Sequence, residues 1–124
     1  MESLLILATK GTPRVEFHPE GKLSIKGRCL PLDPIRFFNP ILEWLKKLTA
    51  PTIHFLIRLE YINTSSAQQL KIMLQLLKDN AWVKSLNIEW YYEEDDEDSY
   101  NTGREFEYFT KLQFQFHEFS DDSE

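Results

Sequence analysis

Thr52-Ile53-His54-Phe55-Leu56-Ile57-Arg58-Leu59-Glu60, then Tyr61-Ile62, the polar turn Asn63-Thr64-Ser65-Ser66 and the run Ala67 to Asn80 decide how this chain folds. Ile53, Phe55, Ile57 and Leu59 alternate with His54, Leu56, Arg58 and Glu60, the period of two expected of a strand buried on at least one face. The strand is expected over 52–60, stopping at Tyr61-Ile62. Beyond the turn, Leu70, Met73, Leu74 and Leu77 recur at i, i+3, i+4 and i+7, which puts them on one stripe of a helix from about Ser65 to Lys78. A strand, a tight polar loop and an amphipathic helix form the first half of a βαβ unit.

The turn places hydroxyls and an amide where a helix leaves its first N–H groups without partners. Asn63, Thr64 or Ser65 can each serve as N-cap, and Ser65 with Gln68 also fits a capping box. A phosphate on a hydroxyl at this point would face the same free N–H groups and the positive end of the helix dipole. The turn therefore suits either a plain cap or a covalently switched site.

Working outward, Ser85 to Tyr92 is β-rich and is expected to lie parallel to the 52–60 strand, joined through the helix by a right-handed crossover. That places the Asn63–Ser66 loop at the carboxyl edge of the sheet, where open α/β sheets carry their sites. Upstream, Ser3 to Ala8 reads as a first strand, and Arg14 to Phe17 with Lys22 to Lys26 reads as a hairpin around Pro19-Glu20-Gly21. Asp33-Pro34 is a helix-start signal, followed by Phe37, Phe38, Ile41, Leu42, Leu45 and Leu48 at helical spacing. Pro40 lies inside that pattern, so the helix proper is expected to begin near Asn39. Downstream, the acidic run Glu93 to Asp98 leads into a third helix over about Ser99 to Thr110, weakened by Gly103. Leu112, Phe114 and Phe116 alternate as a last strand, and an acidic tail follows from Ser120, expected to fray. The order β-β-β-α-β-α-β-α-β describes one α/β domain over residues 1–124, with a mixed sheet and about three helices.

Composition limits the function. The length of 124 residues supports one core without staples, and 42% hydrophobic with 14% aromatic residues is globular rather than disordered. A single cysteine, Cys29, rules out an internal disulfide and reads as a small core residue of a reducing compartment. Leu4 to Ala8 is too short for a signal segment and nothing approaches a membrane span, so a cytoplasmic protein is expected, with no membrane partner. The net charge of −6, without a cluster of cations and interleaved aromatics along the sequence, argues against nucleic acid. His18, His54 and His117 lack metal-site spacing, and the acidic run lacks the alternating ligands and glycine of a calcium loop. There is no glycine-rich phosphate loop and no nucleophile elbow. No cofactor is expected, and no catalytic constellation is encoded. Trp44, Trp82 and Trp90-Tyr91-Tyr92 read as packing aromatics, any exposed member marking a partner surface.

Several stretches carry a likeness beyond these patterns: Gly11-Thr12-Pro13, Gly21-Lys22-Leu23-Ser24-Ile25-Lys26-Gly27, the helix around Trp44-Leu45, and above all Leu59-Glu60-Tyr61-Ile62-Asn63-Thr64-Ser65-Ser66. Through them the chain resembles the SiaC-type family of small bacterial regulatory phosphoproteins, relatives in architecture of the STAS domains of anti-sigma-factor antagonists. The resemblance implies a non-enzymatic signalling switch in which Thr64 is phosphorylated by a Ser/Thr protein kinase and dephosphorylated by a metal-dependent protein phosphatase. Asn63, Thr64, Ser65 and Ser66 would form the partner-binding motif, and phosphorylation would control docking onto a target, a diguanylate cyclase in the best-known branch. Leu30-Pro31-Leu32-Asp33 departs from the family pattern at the loop after the hairpin, and Asn63 stands where STAS phosphosites commonly have aspartate. The alternative reading is a constitutive interaction or scaffold domain in which Thr64 only caps its helix.

Overall fold

The computed structural model describes residues 1–120 of the chain, so the expectation for the acidic tail falls, beyond Ser120, outside the described residues. Six strands and three helices follow in the order β1 (Leu4–Ile6), β2 (Arg14–Phe17), β3 (Lys22–Cys29), α1 (Pro34–Lys46), β4 (Thr52–Ile62), α2 (Thr64–Asp79), β5 (Ser85–Glu93), α3 (Glu97–Thr110) and β6 (Phe114–Phe119). This is the expected element order. The sheet runs β1-β2-β3-β4-β5-β6, antiparallel through β3 and parallel from β3 to β6.

Three crossovers, β3-α1-β4, β4-α2-β5 and β5-α3-β6, each move the chain one strand further in the same direction. Such connections share one hand, so all three helices fall on the same face of the sheet. The burial pattern agrees: Ile53, Phe55, Ile57 and Leu59 of β4 are buried, as are Leu23 and Ile25 of β3 and Ile88 and Trp90 of β5. The intervening residues of each strand look out from an uncovered face. On the covered side, Leu70, Met73, Leu74 and Leu77 of α2 are all buried, as their spacing predicted.

The element bounds depart from expectation at several places, most of them for a local reason, and β1 keeps only Leu4–Ile6 of the expected Ser3 to Ala8. α1 begins at Pro34, not near Asn39: the Asp33 side chain accepts the Arg36 N–H at 3.1 Å and Pro34 takes the first helical position. Pro40 is tolerated because it and Arg36, whose carbonyl its missing N–H would have met, are both exposed, and water can serve that carbonyl. α3 begins at Glu97 because Asp96 accepts the Ser99 N–H at 3.0 Å, which puts Glu97 and Asp98 on the favourable end of the dipole. β3 and β4 run on to Cys29 and Ile62 through an irregularity, Gly27 pairing with Leu59 and Arg28 with Tyr61, so that Glu60 is the extra residue. β6 begins at Phe114 and runs to Phe119, later than its alternation suggested.

Two glycines are required by close approach, and Gly27, at φ +121° beside the β3–β4 irregularity, by its backbone. Gly21 turns the β2–β3 hairpin at φ +110°, and a Cβ there would meet the Thr52 carbonyl oxygen at 2.1 Å. Gly103 does more than weaken α3: it lets the helix approach Trp90 and Phe116, which a Cβ would meet at 2.8 Å.

Candidate functional site

The β4–α2 junction is held by Asn63. Its backbone is extended (φ −77°, ψ 164°), its N–H donates to the Cys29 carbonyl at 3.1 Å, and its carbonyl accepts the Ala67 N–H at 2.9 Å. The side-chain oxygen accepts the Ser66 N–H at 2.9 Å, while Nδ2 reaches toward the Pro31 carbonyl at 3.5 Å. One residue thus joins the end of β3, the β3–α1 loop and the first turn of α2. Of the three possible caps, Asn63 is the one used, and the Ser65–Gln68 box is not formed.

The four motif residues consequently divide. Thr64 and Ser65, the first two helical residues, are exposed, whereas Ser66 is fully buried. The Thr64 hydroxyl makes no hydrogen bond among the described residues, and the Thr64 and Ser65 N–H groups have no protein partner there either. The reading of Thr64 as a mere cap loses its basis, because Asn63 does that work. An open hydroxyl beside two free N–H donors at a helix start can accept a phosphate without displacing an existing bond.

Below the exposed pair lies Cys29, completely buried, its thiol pushed up to about 11 by burial and drawn back only in part by the Ser66 hydroxyl. It is a protonated core residue at neutral pH. The Ser66 oxygen has no hydrogen bond of good geometry. That defect costs about 1–3 kcal/mol. Burying the Leu70, Met73, Leu74 and Leu77 side chains gains roughly 1.5–3 kcal/mol each, so α2 seats firmly despite it.

The surroundings of Thr64 are unequal. On the β3–α1 side, Leu30, Leu32 and Ile35 are exposed, Leu32 entirely so, an apolar rim that the departure of Leu30-Pro31-Leu32-Asp33 from the family pattern only partly signalled. On the β5–α3 side, a groove of about 490 Å³ has Leu59 and Trp90 in its floor and Glu60, Asp95, Asp96 and Asp98 on its walls. The acidic run is therefore a wall of this groove as well as a helix entry.

Most of the remaining candidates are accounted for by packing and pairing, while His54 is exposed. His18 bonds Ser3 and Glu16, and His117 stacks on Tyr91 and meets Glu89 at 3.2 Å. Among the described residues no three His, Cys, Asp or Glu side chains converge to hold a metal ion. Trp44 packs on Phe17 and Trp90 is core, whereas Trp82 is exposed. No helix among the described residues is long and apolar enough to cross a membrane.

A one-sheet α/β chain that offers a hydroxyl-bearing helix start at its carboxyl edge, between an apolar rim and an acidic groove, is built as a signalling and protein-interaction domain. Residues 6–119 match the family model described as SiaC family regulatory phosphoprotein, and the chain belongs to that family. An uncharacterised protein of Pseudomonas aeruginosa is 26% identical over 111 residues, 86% of this chain and 88% of that one. Among solved structures, apo-SiaC from Pseudomonas aeruginosa is similar in fold, with a TM-score of 0.82 at 24% identity over 94% of this chain and 99% of that one. SiaC from the same organism, bound as activator to the diguanylate cyclase SiaD, gives 0.83 at 23% identity, with the same coverage.

Proposed function

We propose that residues 1–124 act as a single cytoplasmic regulatory domain, a non-enzymatic switch whose phospho-acceptor is Thr64. A Ser/Thr protein kinase adds the phosphate, a metal-dependent protein phosphatase removes it, and the target is a protein such as a diguanylate cyclase. The observation that carries this reading is that Thr64 stands exposed and unbonded at the first position of α2 while Asn63 supplies the cap. Thr64 and Ser65 make the direct contact with partners, and Asn63 and Ser66 hold the helix start in position. A phosphate adds about −1.5 to −2 charge at neutral pH. At this exposed site the dipole stabilises it by roughly 0.3–1 kcal/mol, so the fold is unchanged and the effect falls on binding.

The test is incubation of the purified chain with its kinase and ATP, followed by fragment mass spectrometry. Phosphate on Thr64, absent in Thr64→Ala, is the expected result; phosphate on Ser65 or elsewhere overturns the assignment. In binding to a candidate cyclase, Thr64→Ala should retain affinity, whereas Thr64→Asp should lose it by about tenfold or more. Equal affinities would reduce the domain to a constitutive binder.

A further inference from the structure

The sheet face that no helix covers carries a charge pattern that the helix start does not explain. In the strand register Arg14 of β2 stands opposite Lys26 of β3, and Lys26 opposite Arg58 of β4. Arg28, next on the same face of β3, stands opposite Tyr61. Four of the fourteen cations of a chain with net charge −6 are thus gathered on three adjacent strands. Strands lie about 4.8 Å apart, and like charges directly opposed destabilise a sheet, so this row works against folding.

It is also poorly neutralised. Arg14 pairs with Glu16, whose carboxyl is held below its ordinary range by hydrogen bonds from His18 and Arg14. The Arg58 guanidinium lies over the Phe119 ring at 3.9 Å and that of Arg28 over Tyr61 at 4.9 Å. Ring faces fix a guanidinium without cancelling its charge. Lys26 and Arg28 are exposed, and among the described residues neither they nor Arg58 form an ion pair. Glu60, Glu93 and Asp96 share a cleft of about 250 Å³ with Arg58 near the β5–α3 turn, so Arg58 stands at the border between that acidic cleft and the cationic ground of Lys26 and Arg28.

We propose that Lys26, Arg28 and Arg58 form the docking site for an acidic segment of the partner protein, and that this site sets the sign of the Thr64 switch. The inference rests on the reading of Thr64 given above and adds the partner's chemistry to it. Arg28 is paired with Tyr61, three residues before Thr64, and the next carbonyl along β3, that of Cys29, accepts the Asn63 N–H. A dianion on Thr64 therefore sits at the end of the cationic patch, where it repels an incoming acidic segment and competes for Arg28. A basic partner segment would be repelled by the like charge on this face and would gain from the phosphate.

The probe is a short polyglutamate peptide titrated into the isotopically labelled full chain at low salt and followed by amide NMR shifts. The expected shifts map to β3 and β4 around Lys26, Arg28, Arg58 and Tyr61, and fade as salt is raised. The double variant Lys26→Ala, Arg58→Gln, with its fold checked by spectral dispersion, should weaken binding by about tenfold, while Arg58→Lys, which keeps the charge but gives up the stacked fork, should weaken it less. Thr64→Asp should bind the peptide about threefold or more weakly than Thr64→Ala. Shifts confined to the helical face, undiminished binding by the double variant, or equal binding by the two Thr64 variants overturns the proposal. So does salt-sensitive self-association that Lys26→Ala abolishes, since a second copy would then occupy the patch. Failure of a kinase to modify Thr64, with the peptide results intact, rejects the phospho-acceptor and leaves the docking patch standing.

Discussion

The Asn63 carboxamide oxygen accepts the Ser66 N–H at 2.9 Å, so the residue before Thr64 closes the first turn of α2. Asn63→Ala should cost about 1 kcal/mol, within a range of roughly 0.5–2, because it frees the Ser66 N–H and the tie to the β3–α1 loop. Thr64→Ala should stay within about 0.5 kcal/mol of the parent, since an exposed, unbonded hydroxyl is all it removes. Urea denaturation of the two variants separates them, and equal losses would mean that Thr64 shares the cap.

Gly103→Ala tests close approach against propensity. Helix propensity alone favours alanine by about 0.8–1.0 kcal/mol. The new Cβ, however, would meet Trp90 Nε1 and the Phe116 ring at 2.8 Å, and Trp90 Nε1 already donates to the Ser99 carbonyl at 3.0 Å. A net loss of about 1–3 kcal/mol is expected, with a changed near-ultraviolet signal from Trp90.

At the other end of α3, Lys111 caps the helix with a left-handed backbone (φ 59°), its N–H bonded to the Glu107 carbonyl. Glycine adopts that conformation without the Cβ penalty, so Lys111→Gly should raise stability by up to about 1 kcal/mol. A thermal melt reads the gain.

Cys29 predicts an alkaline limit. Its thiol is raised by burial from 9.0 to about 11 in the folded chain. Below pH 9 both states hold the proton and the group contributes no pH dependence. Between pH 9 and about 11 the unfolded thiol ionises first, the folded state binds more protons, and stability falls by up to about 2.7 kcal/mol. Cys29→Ala should lose this part of the slope, so the difference between the urea midpoints of the two proteins should shrink across that window. In the native chain at neutral pH the thiol should stay unreactive toward aromatic disulfides until urea exposes it.

Much of this was legible along the sequence because it rests on short-range physics. The alternation of Ile53, Phe55, Ile57 and Leu59 and the stripe of Leu70, Met73, Leu74 and Leu77 each state a period and a buried face, and the structure buries all eight. Asp33-Pro34 marks the helix start, and Pro40 argues for a later one only as long as its missing hydrogen bond is not known to face water. The outcome for Gly103 differed for a similar reason: a glycine inside a helix looks like weakness until the indole it packs against is known.

The chain by itself determined which segments become strands and helices, and that a hydroxyl-rich helix start stands at the carboxyl edge of a parallel strand. Only the tertiary structure decided that Asn63 and not its neighbours caps that helix, that Ser66 is buried over Cys29 while Thr64 is left open, and that Lys26, Arg28 and Arg58 meet on one face. The first set depends on periodicities and caps within a few residues. The second depends on strand register and crossover direction, which bring residues distant along the chain to within a hydrogen bond of one another and which no local pattern encodes.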